Sequence, residues 1–266
     1  MPPAPLLSPT PYLVRAGRAL RVAAHLARAL FAAAWAYPRM TAEWRLAYRQ
    51  RWSRRLLEIL EIRLEAGPAD APGGSLIVAN HISWLDIFAI DALRPAAFVA
   101  KAEIRAWPLI GWLAARNDTI FLDPAGLPQA RRINREIEAR LDAGFDVAVF
   151  PEGRTTDGAR LLEFRAALLQ AAVAGRRPAL PIAISYRDAA GRRSLAPSFA
   201  ETTLPRCFAA ILACRSLTAR VAPLAPIDTA GRTRREAARA AHDAIATKLG
   251  FPPAKPASET PPDLPA

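Results

Sequence analysis

Lysine is almost missing from this chain of 266 residues: only Lys101, Lys248 and Lys255 stand among its 36 basic side chains, the rest being arginine. Arginine in place of lysine is what a GC-rich coding sequence produces, so the bias carries no chemistry by itself. Cysteine is as scarce. Cys207 and Cys214 lie seven apart in an apolar stretch, at helical same-face spacing that is neither CxxC nor a metal pattern. They read as two small core residues, and without a disulfide framework nothing argues for an oxidising compartment. Long apolar runs are missing too. Ala29–Tyr37 and Trp107–Ala115 are about nine residues each, whereas a bilayer-spanning helix needs roughly 18–20, which argues against an integral channel or transporter. Arg15, Arg18, Arg21 and Arg28 interrupt any apolar core of a signal peptide. No repeat of 20–50 residues, GxSxG, P-loop, GxGxxG after a strand, or metal-ligand cluster is found.

What the chain does have is 52% apolar residues and 23% charged ones. That supports one large domain or two small ones with a real core. Its net charge of +12 suits an anionic partner: nucleic acid, a phosphate-bearing substrate or an acidic membrane surface. The excess is uneven, since residues 11–55 hold ten Arg and one acid, Glu43, interleaved with Tyr12, Phe31, Trp35, Tyr37, Trp44, Tyr48 and Trp52. The pattern there is helical to about Leu64, with a break around Tyr37–Thr41 at Pro38. Leu20, Ala24, Ala27, Phe31 and Ala34 form an apolar stripe opposite Arg15 and Arg18. A basic, aromatic-rich amphipathic helix is what an interfacial membrane anchor looks like; a helical hairpin covering the rest of the protein is the compatible alternative.

Short apolar runs then alternate with helical stretches. Ser75–Asn80, Ala97–Lys101, Thr119–Asp123, Asp146–Pro151 and Leu180–Ser185 read as buried strands. Ser83–Leu93, Gln129–Ala143 and Glu163–Val173 read as helices, and Arg232–Leu249 as a closing one. Alternation of this kind predicts an α/β fold: a mostly parallel central sheet flanked by helices, preceded by an N-terminal amphipathic helical hairpin. The expected division is a flexible N-terminus (1–10), an amphipathic membrane-associating segment (11–65), a catalytic domain (66–250) and a disordered Pro-rich tail (251–266).

Of three histidines, His25 lies on the polar side of the N-terminal segment and His242 in a polar helix, both ordinary surface or packing positions. His81 follows directly from a buried-type strand and precedes a helix, where reactive groups gather in open α/β sheets. An imidazole there suits general base work. Asp86 is five residues on and could reach back to orient it. Equally, Ser83 could cap the helix with Asp86 at its third position; spacing alone leaves both readings open. A second polar turn, Phe150-Pro-Glu152-Gly153-Arg154-Thr-Thr-Asp-Gly158, also follows a strand and combines acids, an arginine and glycines.

Together these segments resemble the glycerolipid acyltransferase family, glycerol-3-phosphate acyltransferase-like in fold. Its Asn-His-x4-Asp motif is met by Asn80, His81 and Asp86, and its Phe-Pro-Glu-Gly motif by Phe150 to Gly153. Lys101-Ala-Glu, Trp107-Pro-Leu-Ile-Gly-Trp, Ile120-Phe-Leu-Asp123 and Leu180-Pro-Ile are similar as well, so the likeness runs over roughly residues 75–250. The resemblance implies acyl transfer from an acyl-CoA or acyl-carrier-protein thioester to a lysolipid hydroxyl. His81 would be the base, Asp86 its orienting acid, and Glu152 and Gly153 the holders of the acceptor, with no cofactor and no metal. The family's second motif usually ends Asp-Arg, but here Asp123 is followed by Pro124. Its third usually reads Glu-Gly-Thr-Arg, but here Arg154 comes one place early. Arg131, Arg132 or Arg154 is left to bind a phosphate.

The expected acceptor is 1-acyl-sn-glycerol-3-phosphate, with lyso-ornithine lipid as the alternative suggested by Asp157-Gly158 through Leu162-Glu163-Phe164-Arg165. The expected partners are a lysolipid acceptor, an acyl thioester donor that includes acyl-carrier protein, and a membrane surface, on the cytoplasmic face of the inner membrane. A non-catalytic lipid-binding protein of the same fold is the competing reading, disfavoured by the joint presence of His81, Asp86 and Glu152. Nucleic acid is not expected, because no zinc-finger or RNP-type motif accompanies the charge.

Overall fold

The computed structural model describes residues 10–122 and 127–253. Asp123, Pro124 and nearly all of the expected flexible N-terminus and Pro-rich tail lie outside the described residues. The chain opens with α1 (Tyr12–Phe31), which runs through a π-helical turn, Ala32–Ala36, and a 3-10 turn, Tyr37–Arg39, into α2 (Ala42–Ile59). Pro38 sits in the 3-10 turn, and Thr41 caps α2 by accepting from the Trp44 N–H. The remaining elements are β1 (Ile62–Ala66), β2 (Leu76–Ala79), α3 (Leu85–Leu93), β3 (Ala97–Lys101), α4 (Ile110–Arg116), β4 (Ile120–Leu122), α5 (Leu127–Asp142), β5 (Val147–Val149), α6 (Gln170–Ala174), β6 (Ala179–Asp188), α7 (Leu204–Ala213), β7 (Leu217–Pro223) and α8 (Arg234–Leu249).

The seven strands form one sheet in the order β1-β7-β6-β2-β5-β3-β4. All neighbours are parallel except β6 and β7, so the expected mostly parallel α/β sheet is present. Strand β2 is wholly buried, and its residues alternate between two cores. Ile77 and Ala79 pack with α2, α3 and α7, while Leu76 and Val78 pack with α5, α6 and α8. The chain leaves β2 toward β3 and β4, returns to β5, and crosses to β6 on the other side of β2. The carboxyl ends of β2, β5 and β6 therefore surround the point at which the winding changes direction.

Two expectations are corrected. The helical reading up to Leu64 fails because Glu61 takes a left-handed conformation (φ 55°) and the chain enters β1, which pairs with β7 from Ile62↔Leu217 onward. Strand β1 thus belongs to the sheet and not to the hairpin. The helix expected over Glu163–Val173 is shorter, because the chain is irregular to Arg165 and becomes helical only at Ala166. On α1 the apolar stripe faces outward, as an interfacial anchor requires, while part of the polar side packs on the sheet domain. Arg18 and His25 are buried, whereas Leu20 is 72% and Phe31 67% exposed.

The inward arginine is satisfied. Arg18 pairs with Glu61 and donates to the Leu212 and Cys214 carbonyls. His25 stacks on Trp52 at 4.5 Å, and each ring bonds the other's backbone carbonyl. Arg49 on α2 holds buried Asp91 on α3 and donates to the Ala96 carbonyl. Removing one partner of such a pair leaves a buried charge, so the hairpin is locked to the sheet domain in one orientation.

Candidate active site

Strand β2 ends at Ala79, and the next residue closes the gap to β6. The Asn80 side chain donates to the Ile184 carbonyl at 3.0 Å and accepts from the Ile184 N–H at 2.7 Å. This bidentate side-chain bridge replaces the next rung of the ladder and fixes where the strand lets go. His81 comes next, with its side chain 20% exposed. Its Nδ1 lies 2.8 Å from Asp86 Oδ2, and its ring stacks on Phe150 at 4.0 Å.

Asp86, in the first turn of α3, is fully buried. Its Oδ2 also accepts from the Ile82 N–H (2.7 Å) and the Ser83 N–H (2.9 Å), and its Oδ1 from the Tyr186 hydroxyl (2.7 Å). Of the two readings that spacing left open, the reach back to the imidazole is made, and the capping one only in the bond from the Ser83 N–H to Asp86, since Trp84 is the N-cap residue. Three donors converge on Oδ2 and one on Oδ1, a set that suits an acceptor-only carboxylate. Burial and the Asp86 charge hold the Tyr186 phenol well above its usual range, so it remains a donor. The Asp86 bond places a proton on Nδ1, so in the neutral ring Nε2 is the nitrogen left to accept one.

The second turn is bolted to the first through the peptide groups of His81. The His81 N–H donates to Glu152 Oε1 at 2.7 Å, and the His81 carbonyl accepts from the Thr156 N–H at 2.8 Å. The other Glu152 oxygen accepts from the Leu162 N–H at 2.9 Å. Glu152 is buried, and each of its oxygens holds one backbone N–H, which gives it a positioning role on the His81 turn. Burial pushes its carboxyl up to about 7, against the two backbone donors, which lower it.

Gly153 has φ +72°, and a Cβ there would lie 2.7 Å from the Arg165 guanidinium. The Arg165 N–H bonds the Pro151 carbonyl at 2.9 Å. Arg165 is therefore the cation that the fold lays across the Glu-Gly turn, and it was missed as a site residue. The signal lay in the irregular stretch misread as helix. Arg154 is exposed at the same turn. Arg131 and Arg132 are exposed on α5, in the helical layer across the sheet from α3, where Arg131 lines an open groove with Asn134 and Gln170.

Residues 63–185, which hold both turns, match the Acyltransferase family. A 1-acyl-sn-glycerol-3-phosphate acyltransferase of Neisseria meningitidis serogroup B is 42% identical over 170 residues, 63% of this chain and 67% of that protein. The chain belongs to the acyltransferase family. This acyltransferase spans about two thirds of its Neisseria relative. It is also 35% identical to a lyso-ornithine lipid O-acyltransferase of Pseudomonas aeruginosa over 199 residues, 74% of this chain and 76% of that one. The crystal structure of the 1-acyl-sn-glycerophosphate acyltransferase PlsC from Thermotoga maritima superposes with a TM-score of 0.67 at 18% identity, covering 90% of this chain and 94% of that one. The acyltransferase domain with its helical N-terminus is thus a shared fold.

Proposed function

We propose that this acyltransferase moves a fatty acyl group from an acyl-CoA or acyl-carrier-protein thioester onto the free hydroxyl of a lysolipid. The observation that carries the reading is the bond between His81 Nδ1 and the buried Asp86 carboxylate, which makes Nε2 of the neutral ring the base. Nε2 takes the proton of the acceptor hydroxyl as its oxygen attacks the thioester carbonyl carbon. The carbon–sulfur bond then breaks, and the imidazolium returns the proton to the departing sulfur. The step calls on no cofactor. The Asp86 charge stabilises the transient imidazolium, and general base work of this kind is worth about 10²–10⁴-fold. The Phe150 stack and the two peptide bonds to the Glu152–Thr156 turn keep the ring aligned.

The acceptor is proposed to be 1-acyl-sn-glycerol-3-phosphate, with its phosphate on Arg165 and Arg154 at the Glu-Gly turn. Lyso-ornithine lipid is the competing acceptor, favoured by the absence of the family's usual arginine after Asp123 and by the similarity to the Pseudomonas enzyme.

Membrane contact is part of the proposal. Among the described residues no helix is long and apolar enough to cross a bilayer. The outward stripe of α1 continues through Trp35, and Trp107, Leu109 and Trp112 are exposed beside it. Leu113 of α4 packs against Ala32, Ala33 and Tyr37, and the Tyr37 hydroxyl donates to Asn117. The two exposed groups thus lie on neighbouring elements that also carry exposed Arg21, Arg28 and Arg105. They would rest on the cytoplasmic leaflet, where acyl thioesters are made.

His81→Ala tests the chemistry. Acylation of lysophosphatidate or lyso-ornithine lipid, read as release of free coenzyme A thiol or carrier-protein thiol, should vanish while vesicle binding persists. Near-normal turnover would overturn the mechanism.

A further inference from the structure

Behind the catalytic turn, a cavity of about 160 Å³ opens over the carboxyl ends of β2 and β6, beside the end of α8. It begins at Asn80 and Ile82, the two neighbours of His81, so its wall starts one residue, about 3.8 Å along the chain, from the catalytic base. Arg160, Arg187 and Arg193 line it, with Asp157 as the one acidic group in the lining.

Three arginines in one small cavity repel one another unless a charge is placed among them, so the local acids matter. Asp188, next to Arg187, is occupied elsewhere. It holds Arg192 at 2.9 Å and accepts from the Ala190 and Arg192 N–H groups. Asp157 is turned to the Ala159 N–H at 2.9 Å. Among the described residues no carboxylate pairs with Arg160, Arg187 or Arg193. Among the described residues Arg187 Nε is buried without a partner, and the side chain makes one long bond, 3.5 Å from Nη1 to the Gly191 carbonyl. A buried guanidinium N–H left unbonded is uncommon in folded proteins and calls for an acceptor.

The cavity is also held in shape. Arg187 and Arg193 face each other across a β-bridge. Gly158 lies so close to Ile82 that a Cβ there would meet Ile82 Cδ1 at 3.0 Å, which ties the loop carrying Asp157 and Arg160 to the His81 turn. Leu249 and Phe251 close the side toward α8 with apolar surface.

We propose that this cavity is a second phosphoryl-binding site, separate from Arg165 and the Glu-Gly turn, which takes the phosphate of one substrate while the other meets His81. Its ligand is a phosphate ester held by arginine forks, the group that guanidinium geometry matches best. Both the phosphopantetheine arm of an acyl thioester and a phosphate-bearing lysolipid carry that chemistry. The assignment to a substrate rests on the acyl-transfer reading above; the anion site itself does not.

Calorimetric titration of the full-length protein with inorganic phosphate, coenzyme A and sn-glycerol 3-phosphate separates the sources. The wild type should bind at least one of the two esters. Combined Arg160→Gln, Arg187→Gln and Arg193→Gln should weaken that ester at least tenfold, with Arg160→Lys and Arg193→Lys recovering part of it. Loss confined to coenzyme A assigns the donor; loss confined to glycerol phosphate assigns the acceptor. Asp157→Asn removes the opposing charge and should tighten binding about two- to fivefold, a gain that misfolding cannot imitate. No binding of either ester by a folded wild type, or unchanged binding in the folded triple variant, overturns the proposal. The His81→Ala protein should titrate like wild type. If the wild type fails to transfer acyl groups yet binds phosphate through these arginines, the anion site stands and the substrate assignment falls.

Discussion

Replacing Asp86 by asparagine removes one charge and keeps the shape, and the surrounding donors determine how the new amide sits. The Ile82 and Ser83 N–H groups both point at Oδ2, and neither can turn. An amide nitrogen in that place would face two donors, so the asparagine must put its oxygen there and its nitrogen toward the Tyr186 hydroxyl, which can rotate to accept. The oxygen then still accepts from His81 Nδ1, and the imidazole keeps its tautomer. What is lost is the charge assistance of one hydrogen bond to the imidazolium, about 1–2 kcal/mol. At about 1.4 kcal/mol per factor of ten, kcat should fall roughly 5- to 30-fold. Where an asparagine instead turns the imidazole to the wrong tautomer, the loss is about 10⁴-fold. The assay is thiol release from an acyl thioester with saturating lysolipid, paired with ¹⁵N NMR of the His81 ring. A kcat loss of 10³-fold or more, with the proton on Nε2, would refute the argument that the two peptide donors set the tautomer. A loss under twofold would refute the role of the charge.

The same geometry sets three further outcomes. Glu152 titrates higher in the folded chain, at about 7, than its ordinary value of 4.5, so between those values the native state binds more protons than the unfolded one. Unfolding free energy should therefore decline as pH rises through that window, by an order of about 3 kcal/mol; chemical denaturation at pH 5 and pH 8 should show a smaller decline in Glu152→Gln than in wild type. Gly153→Ala forces a Cβ into the Arg165 guanidinium from a left-handed backbone, costing about 1–2 kcal/mol of stability, and should raise KM for a phosphate-bearing acceptor more than it lowers kcat. Leu20→Glu with Phe31→Glu alters two exposed positions, so the melting temperature should hold within a few degrees while co-sedimentation with anionic vesicles drops; undiminished vesicle binding would move the membrane contact off α1.

Much of this protein was legible in its residues because the determining interactions are local. The buried runs that became β2 to β6 are apolar on both faces, as strands between two helical layers must be. His81 and Asp86 stood out at a strand-to-helix junction within six residues, and the family resemblance paired them where spacing left two readings open. Tertiary structure decided the rest. Ile62–Ala66 became a strand because β7, more than 150 residues later, offers its edge; without that partner its apolar residues continue the helical pattern of α2. Arg18 and His25 point inward because Glu61, Trp52 and two carbonyls of the 212–214 segment satisfy them, leaving the apolar stripe outside. Glu152 was recognised by its motif, but only the fold turned both its oxygens onto the backbone of His81 and Leu162. Arg165 reaches the Glu-Gly turn, and Arg160 and Arg193 reach Arg187, through loops whose left-handed glycines bring distant segments into contact. Sequence spacing records which groups a chain carries; only its long-range closures decide which charges end up sharing a cavity.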